Sequence, residues 1–302
     1  MNKLLFSIAS LMVLFACSHT QHVSKRLLKK DSNEYWNTLT ETIRNEDDSS
    51  LDKNLLEYEP ELYSQIEKDA KDPYLLMFWG RSSNIDSSNK KIIVDEKILH
   101  QLNKKFNYFQ SGEFCHAGII HTYGYLFSDL LTPYGYKRKR WIEQTLNKAF
   151  SFSNESLSPQ TKQGTLLSNL TYFTGMITLK NKTSLQLLKN VSSEILSFDF
   201  ESLKISRLEE KVQNLILKSF FVKFPRVIPS DENRFLLIYV VEDLSTGAEN
   251  LITAFPVNEK TLLNIQKDEF LGKNQSISLR YNALIENYPK NNLGTRTFFN
   301  NN

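Results

Sequence analysis

Two β-branched and aromatic runs near the carboxyl end most constrain the fold. Residues 235–242 and 249–257 are joined through Asp243–Ala248, where Gly247 supplies a left-handed turn position, and together they predict a β-hairpin. A second strand signal follows: Ile277, Leu279, Tyr281, Ala283 and Ile285 alternate with Ser276, Ser278, Arg280, Asn282 and Glu286, except at Leu284, as in a half-buried antiparallel strand. Between these runs Asn258 can cap a helix ending near Gly272, and the Asn-rich tail after Pro289 reads as frayed.

Helical periodicity marks other stretches. Helices are expected at about 34–45 and 59–70, separated by the acidic, serine-containing Glu46–Ser50, and again up to about Phe106. Residues 137–150 place Trp141, Ile142, Leu146, Ala149 and Phe150 at helical spacing. Thr183 with Gln186 and Ser206 with Glu209 fit capping boxes, predicting helices at about 184–196 and 207–222, the second stopped by Pro225. The apolar run 74–79, bounded by Pro73 and Gly80, predicts a buried strand, and residues 92–94 a small one. Residues 115–127 read as a strand whose odd face is the heavier; residues 161–179 stay open between strand and helix. Strands in hairpins and helices in separate runs predict an α+β fold, a mostly antiparallel sheet packed against several helices. It is expected as one domain over 34–290, or split near 229–233, with 291–302 frayed, and no internal repeat is visible.

The amino terminus says where such a domain would live. Lys3 is followed by an apolar run interrupted only by Ser7 and Ser10, and then by Leu14-Phe15-Ala16-Cys17. The run is about a dozen residues, short of the ~20 a spanning helix needs, so it reads as a signal peptide. Leu14–Cys17 resembles the lipobox of bacterial lipoprotein precursors. The resemblance covers residues 1–17 only and implies cleavage before Cys17, diacylglycerol on its sulfur and acylation, palmitate among the acyl chains, on the new amino terminus. Ser18 is not the aspartate that retains many such proteins in the inner membrane, which by the same analogy implies the outer membrane, facing the periplasm. Removing the sixteen residues before Cys17 from the 302 leaves 286, enough for a large domain. Residues 17–33, with Lys25, Arg26, Lys29 and Lys30, read as a basic tether suited to an anionic leaflet.

The formal charge of +3 gives no global field that would select nucleic acid. With Cys17 carrying lipid, Cys115 is alone, which excludes an internal disulfide and leaves a buried or a functional thiol. Cys115, His116 and His121 form the densest chemical cluster, since a cysteine nucleophile needs an imidazole to lower its pKa. On a continuous strand, however, His116 faces away from Cys115 and His121 lies ~20 Å along, so a dyad needs a break in the strand or another histidine such as His100. The spacing matches no metal-ligand motif, and no cofactor fingerprint occurs. Next comes Lys137-Arg138-Lys139-Arg140, flanked by Tyr134, Tyr136 and Trp141, a set that can clamp phosphate or carboxylate or simply face water. The expected function is therefore a tethered, non-catalytic binding domain for an anionic lipid, a polysaccharide or an envelope protein. The alternative is an envelope hydrolase or transferase using Cys115 with His116 or His121.

Overall fold

The computed structural model describes residues 32–47, 49–80, 84, 91–107, 117–132, 135–142, 145–150, 152–153, 156–212, 214–223, 235–257 and 295–300. The fold is α+β, with helices packed against one face of a five-stranded antiparallel sheet. Helix α1 (Asn33–Asn45) starts where Ser32 Oγ accepts from Tyr35 N at 3.1 Å, and it buries Tyr35, Trp36, Leu39, Thr40 and Ile43. Helix α2 (Ser50–Tyr58) is followed at once by α3 (Pro60–Ala70), whose first residue is the proline, preset for a helix start. Helix α4 (Glu96–Lys105) is capped by Asp95. Helix α5 begins as Ala117–Ile119 and widens into a π-helix over Ile120–Gly124. A small ribbon, β1 (Leu131–Thr132) with β2 (Gly135–Tyr136), leads into the short helices α6 (Lys139–Ile142) and α7 (Thr145–Phe150).

Helix α8 (Leu166–Thr178) is the central pillar, buried all round from Leu166 to Gly175. Such a helix carries no polar stripe, which is why its sequence left strand and helix open. A single turn, α9 (Ser193–Leu196), follows. The sheet runs β6-β5-β4-β3-β7, with β3 Lys204–Val212, β4 Leu215–Lys223, β5 Phe235–Asp243, β6 Glu249–Val257 and β7 Thr295–Asn300. The expected hairpin is β5–β6, and Gly247 sits at φ +71° in its turn. Phe220, Val222, Leu236, Ile238, Val240, Leu251 and Ala254 face the helices, while Leu208, Leu217, Phe221, Leu237, Tyr239 and Ile252 form a second cluster across the sheet. On the helix-facing side Lys218, 1% exposed, lies 2.5 Å from Glu242 and 2.6 Å from Glu249.

Several expectations are corrected. Residues 74–79 hold a 3-10 turn (Leu75–Phe78), not a strand; Trp79 bridges β6 at Leu251, and Gly80 N donates to Leu251 O at 2.7 Å. Residues 117–126 are helical rather than extended, because the segment is buried on every side from Gly118 to Ser128 apart from Ile120, whose side chain lies outside the description. A chain buried all round shows no amphipathic period, so its accidental parity read as a strand. The helix expected over 207–222 is the β3–β4 hairpin, and Ser206 and Glu209 are strand residues, not a capping box. Strand β4 is buried on both faces from Leu217 to Val222, so it lacks the alternation that marks a strand. Residues 184–196 hold a 3-10 turn (Thr183–Leu187) and α9 instead of one helix. Thr295–Asn300 pairs with β3, so the fold extends past 290, into the segment expected to fray. The signal peptide, the tether, the break near 229–233, and the elements expected over 258–272 and 277–285 lie outside the described residues.

Candidate functional site

The site grows from α5 and the basic turn. The π-helix is fixed from one side by a buried carboxylate: Asp69, at the end of α3, accepts from Tyr123 OH, from Thr165 Oγ1 at 2.6 Å and from Ser168 Oγ at 2.8 Å. Burial pushes its carboxyl up to about 6 against the lowering pull of those three hydroxyls, Thr165 foremost. Gly118, one turn earlier, lies against Trp79, whose ring atoms would sit 2.8 Å from a Cβ at that position. Trp79 is held in turn by its indole N–H on Thr171 Oγ1 at 2.8 Å. These contacts aim His121 and Tyr125 toward the basic turn.

Three basic side chains converge on the buried ring of Tyr125. Arg140 lies 5.0 Å from its centroid, Lys137 Nζ 4.9 Å, and the His121 ring meets it edge-on at 5.1 Å. The Arg140 guanidinium also lies 5.4 Å from Phe255 and 5.8 Å from Trp141, so aromatic faces surround it. Among the described residues its guanidinium makes one hydrogen bond, Nη1 to Ala254 O at 2.8 Å, which caps a carbonyl of β6, an edge strand among those residues. Burial lowers the Arg140 pKa to about 10, with Tyr125 opposing, so it is charged at neutral pH. Among the described residues no carboxylate pairs with it. Trp141, next in the chain and fully buried, carries an indole N–H that finds no acceptor among the described residues. Among the described residues donors outnumber acceptors here, which is the chemistry of an anion site.

The basic turn is thus neither a uniform clamp nor a solvated loop. Arg138 is wholly buried and spent on the main chain: Nε and Nη2 donate to Ser128 O at 2.8 and 2.6 Å, and Nη1 to Asn33 O at 3.3 Å. Burial lowers its pKa to about 10, with Asp129 and then Tyr136 pulling the other way. Lys137 and Lys139 are partly exposed. Of the thiol cluster, Cys115 and His116 lie outside the described residues, whereas His121 is 1% exposed inside the π-helix. The strand geometry that separated it from Cys115 does not hold over 117–126, where the helical rise is ~1.5 Å per residue. Among the described residues no group of three His, Cys, Asp or Glu is placed to hold a metal ion. Tyr125 and Phe255 were visible as aromatics, but the Ala254 carbonyl that seats Arg140 has no signature in sequence. Comparison with protein-family models, with characterised proteins and with solved structures gives no match.

Proposed function

We propose that the chain is a membrane-tethered envelope lipoprotein, anchored through Cys17, whose folded part binds a phosphate- or carboxylate-bearing envelope component without catalysis. The observation that carries the binding is Arg140: a charged guanidinium, caged by three aromatic rings, with one main-chain hydrogen bond and no carboxylate among the described residues. A partly buried cation beside Lys137 on the same ring is costly unless an anion joins it. Among the described residues the guanidinium fork has donors left over after Ala254, and those match a phosphate or carboxylate. The anchor rests on the lipobox resemblance at Leu14–Cys17. The test is calorimetric titration of the mature chain carrying Cys17→Ser with inorganic pyrophosphate and with citrate. Arg140→Gln and, separately, Lys137→Gln should each weaken binding about tenfold, the scale of one charge-assisted contact. Binding by the parent should also fall as salt rises and the Debye length drops below ~8 Å. No binding by the parent, or unchanged affinity in both variants, would overturn the reading.

A further inference from the structure

We infer that the second face of the sheet is covered by this chain's own residues 258–294, which cross it on the way from β6 to β7. The apolar cluster on that face, Leu208, Leu217, Phe221, Leu237, Tyr239 and Ile252, comes from β3, β4, β5 and β6 alone, and no helix among the described residues adds an apolar side chain to it. Yet Leu237 is 0% exposed, and Leu217 and Ile252 are each 2% exposed. One sheet layer cannot bury the side chains that point away from its helices, so a further layer lies over them. Because the burial runs from β3 to β6, that layer extends across the sheet.

Sheet topology names the occupant. Strands β6 and β7 are the two edges, and the antiparallel pairings β6–β5, β5–β4, β4–β3 and β3–β7 make them run in the same direction. The chain therefore leaves Val257 at one end of the sheet and enters β7 at the other end, at Thr295, about 19 Å to the side at ~4.8 Å per strand spacing. Residues 258–294 span that distance at ~1.5 Å per residue if helical or ~3.4 Å if extended. Handedness selects the face they cross. Leu251 and Ala254 belong to the helix-facing cluster, and their carbonyls turn outward from the sheet edge, to Gly80 N at 2.7 Å and to Arg140 Nη1 at 2.8 Å. For an L-residue in a strand running upward with its side chain toward the viewer, the carbonyl points to the right. Seen from the helices, β6 is then the right-hand edge and β7 the left. A right-to-left connection is left-handed over the near side and right-handed over the far side, and about 98% of such crossovers are right-handed. Residues 224–234 instead leave and re-enter at one end of the sheet, between Lys223 and Phe235, and residues 108–116 join two elements of the helix layer, so neither has to cross. The crossing segment also carries apolar side chains to cover the face, among them Leu262, Leu263, Ile265, Phe270, Leu279 and Tyr281. With helices on one side and this crossing on the other, the sheet keeps no open face for a partner. The crossing leaves β6 just past Ala254, whose carbonyl seats Arg140.

The experiment is paramagnetic broadening of backbone amide signals in the mature chain carrying Cys17→Ser and Cys115→Ser, with one nitroxide at a time on an introduced cysteine. Ser206 pairs with Phe221, and the exposed Lys223 shares the Phe221 face of β4, so Ser206→Cys and Lys223→Cys both put the nitroxide on the second face. Leu56→Cys, at a side chain 61% exposed on α2, puts it on the helix layer. The nitroxides at Ser206 and Lys223 should each remove most of the intensity from amides within 258–294, and the one at Leu56 should leave those amides as they are in the diamagnetic chain. Amides of 258–294 that keep their intensity with both second-face nitroxides, or lose it with the one at Leu56, would overturn the inference. A mixture of nitroxide-bearing chains at natural isotopic abundance with isotope-labelled chains lacking the nitroxide tests a second copy as the cover. The broadening should vanish in that mixture; broadening that persists there would place a neighbouring copy on the face and overturn the inference as well.

Discussion

Asp69→Asn isolates one buried proton. The carboxyl is 1% exposed and accepts from Tyr123, Thr165 and Ser168, so it joins α3, α5 and α8. Its folded pKa, about 6, lies above the ordinary 3.8 because burial outweighs the three donors. Between those values the folded state holds a proton that the unfolded chain has released, so stability rises as pH falls through 6 and levels off below about 4. A shift of that size corresponds to about 3 kcal/mol in full, of which about 1.4 kcal/mol appears between pH 7.5 and 5.0. The carboxyls of Glu67, Glu194 and Glu242 are lowered and act in the opposite direction, so the raw pH profile is ambiguous. The difference between parent and Asp69→Asn removes them. In urea unfolding followed by tryptophan fluorescence, the parent should gain about 1.4 kcal/mol on the variant when pH drops from 7.5 to 5.0. A difference that does not change between the two pH values would mean that Asp69 stays ionised throughout and that burial does not dominate its environment.

Other outcomes follow from the same contacts. Cys17→Ser should release the protein to the soluble periplasmic fraction or stall processing; retention in carbonate-washed membranes with the signal removed would end the lipoprotein assignment. Lys218→Leu removes the buried cation shared by Glu242 and Glu249 and leaves them only the exposed Lys180, whose Nζ pairs with Glu242 and whose backbone N–H donates to Glu249, so it should cost about 3 kcal/mol by urea unfolding. Replacing Lys218, Glu242 and Glu249 together by leucine should recover most of that loss. Gly118→Ala pushes a methyl into the Trp79 ring and should cost about 1–3 kcal/mol, with a shifted tryptophan emission; a parent-like melting curve would mean that α5 and the 3-10 turn do not touch.

Elements with one wet face were readable: α1, α3 and α4 show helical stripes, and β5–β6 carries its turn glycine at the expected left-handed position. Elements covered on both sides were not. Residues 117–126 and β4 are buried nearly all round, so neither period survives, and the pattern of each points to the other class. A better signal for β3–β4 was local: Val212 pairs with Leu215, and Asn214, in the turn between them, suits a tight hairpin. The basic turn was legible as charge but not as two separate fates. That Arg138 would reach Asn33, more than a hundred residues away in sequence, and Arg140 the Ala254 carbonyl depends on packing that no local pattern encodes.

The central claim, a caged Arg140 open to an anion beside a structurally spent Arg138, is tested most directly by the side-chain Nε resonances of the two arginines in solution. During pyrophosphate titration of the mature Cys17→Ser chain, the Arg140 signal should move saturably with the calorimetric affinity, while the Arg138 signal, held on Ser128 O, should stay in place. A stationary Arg140 signal at saturating anion, or an Arg138 signal that moves in its stead, would contradict it.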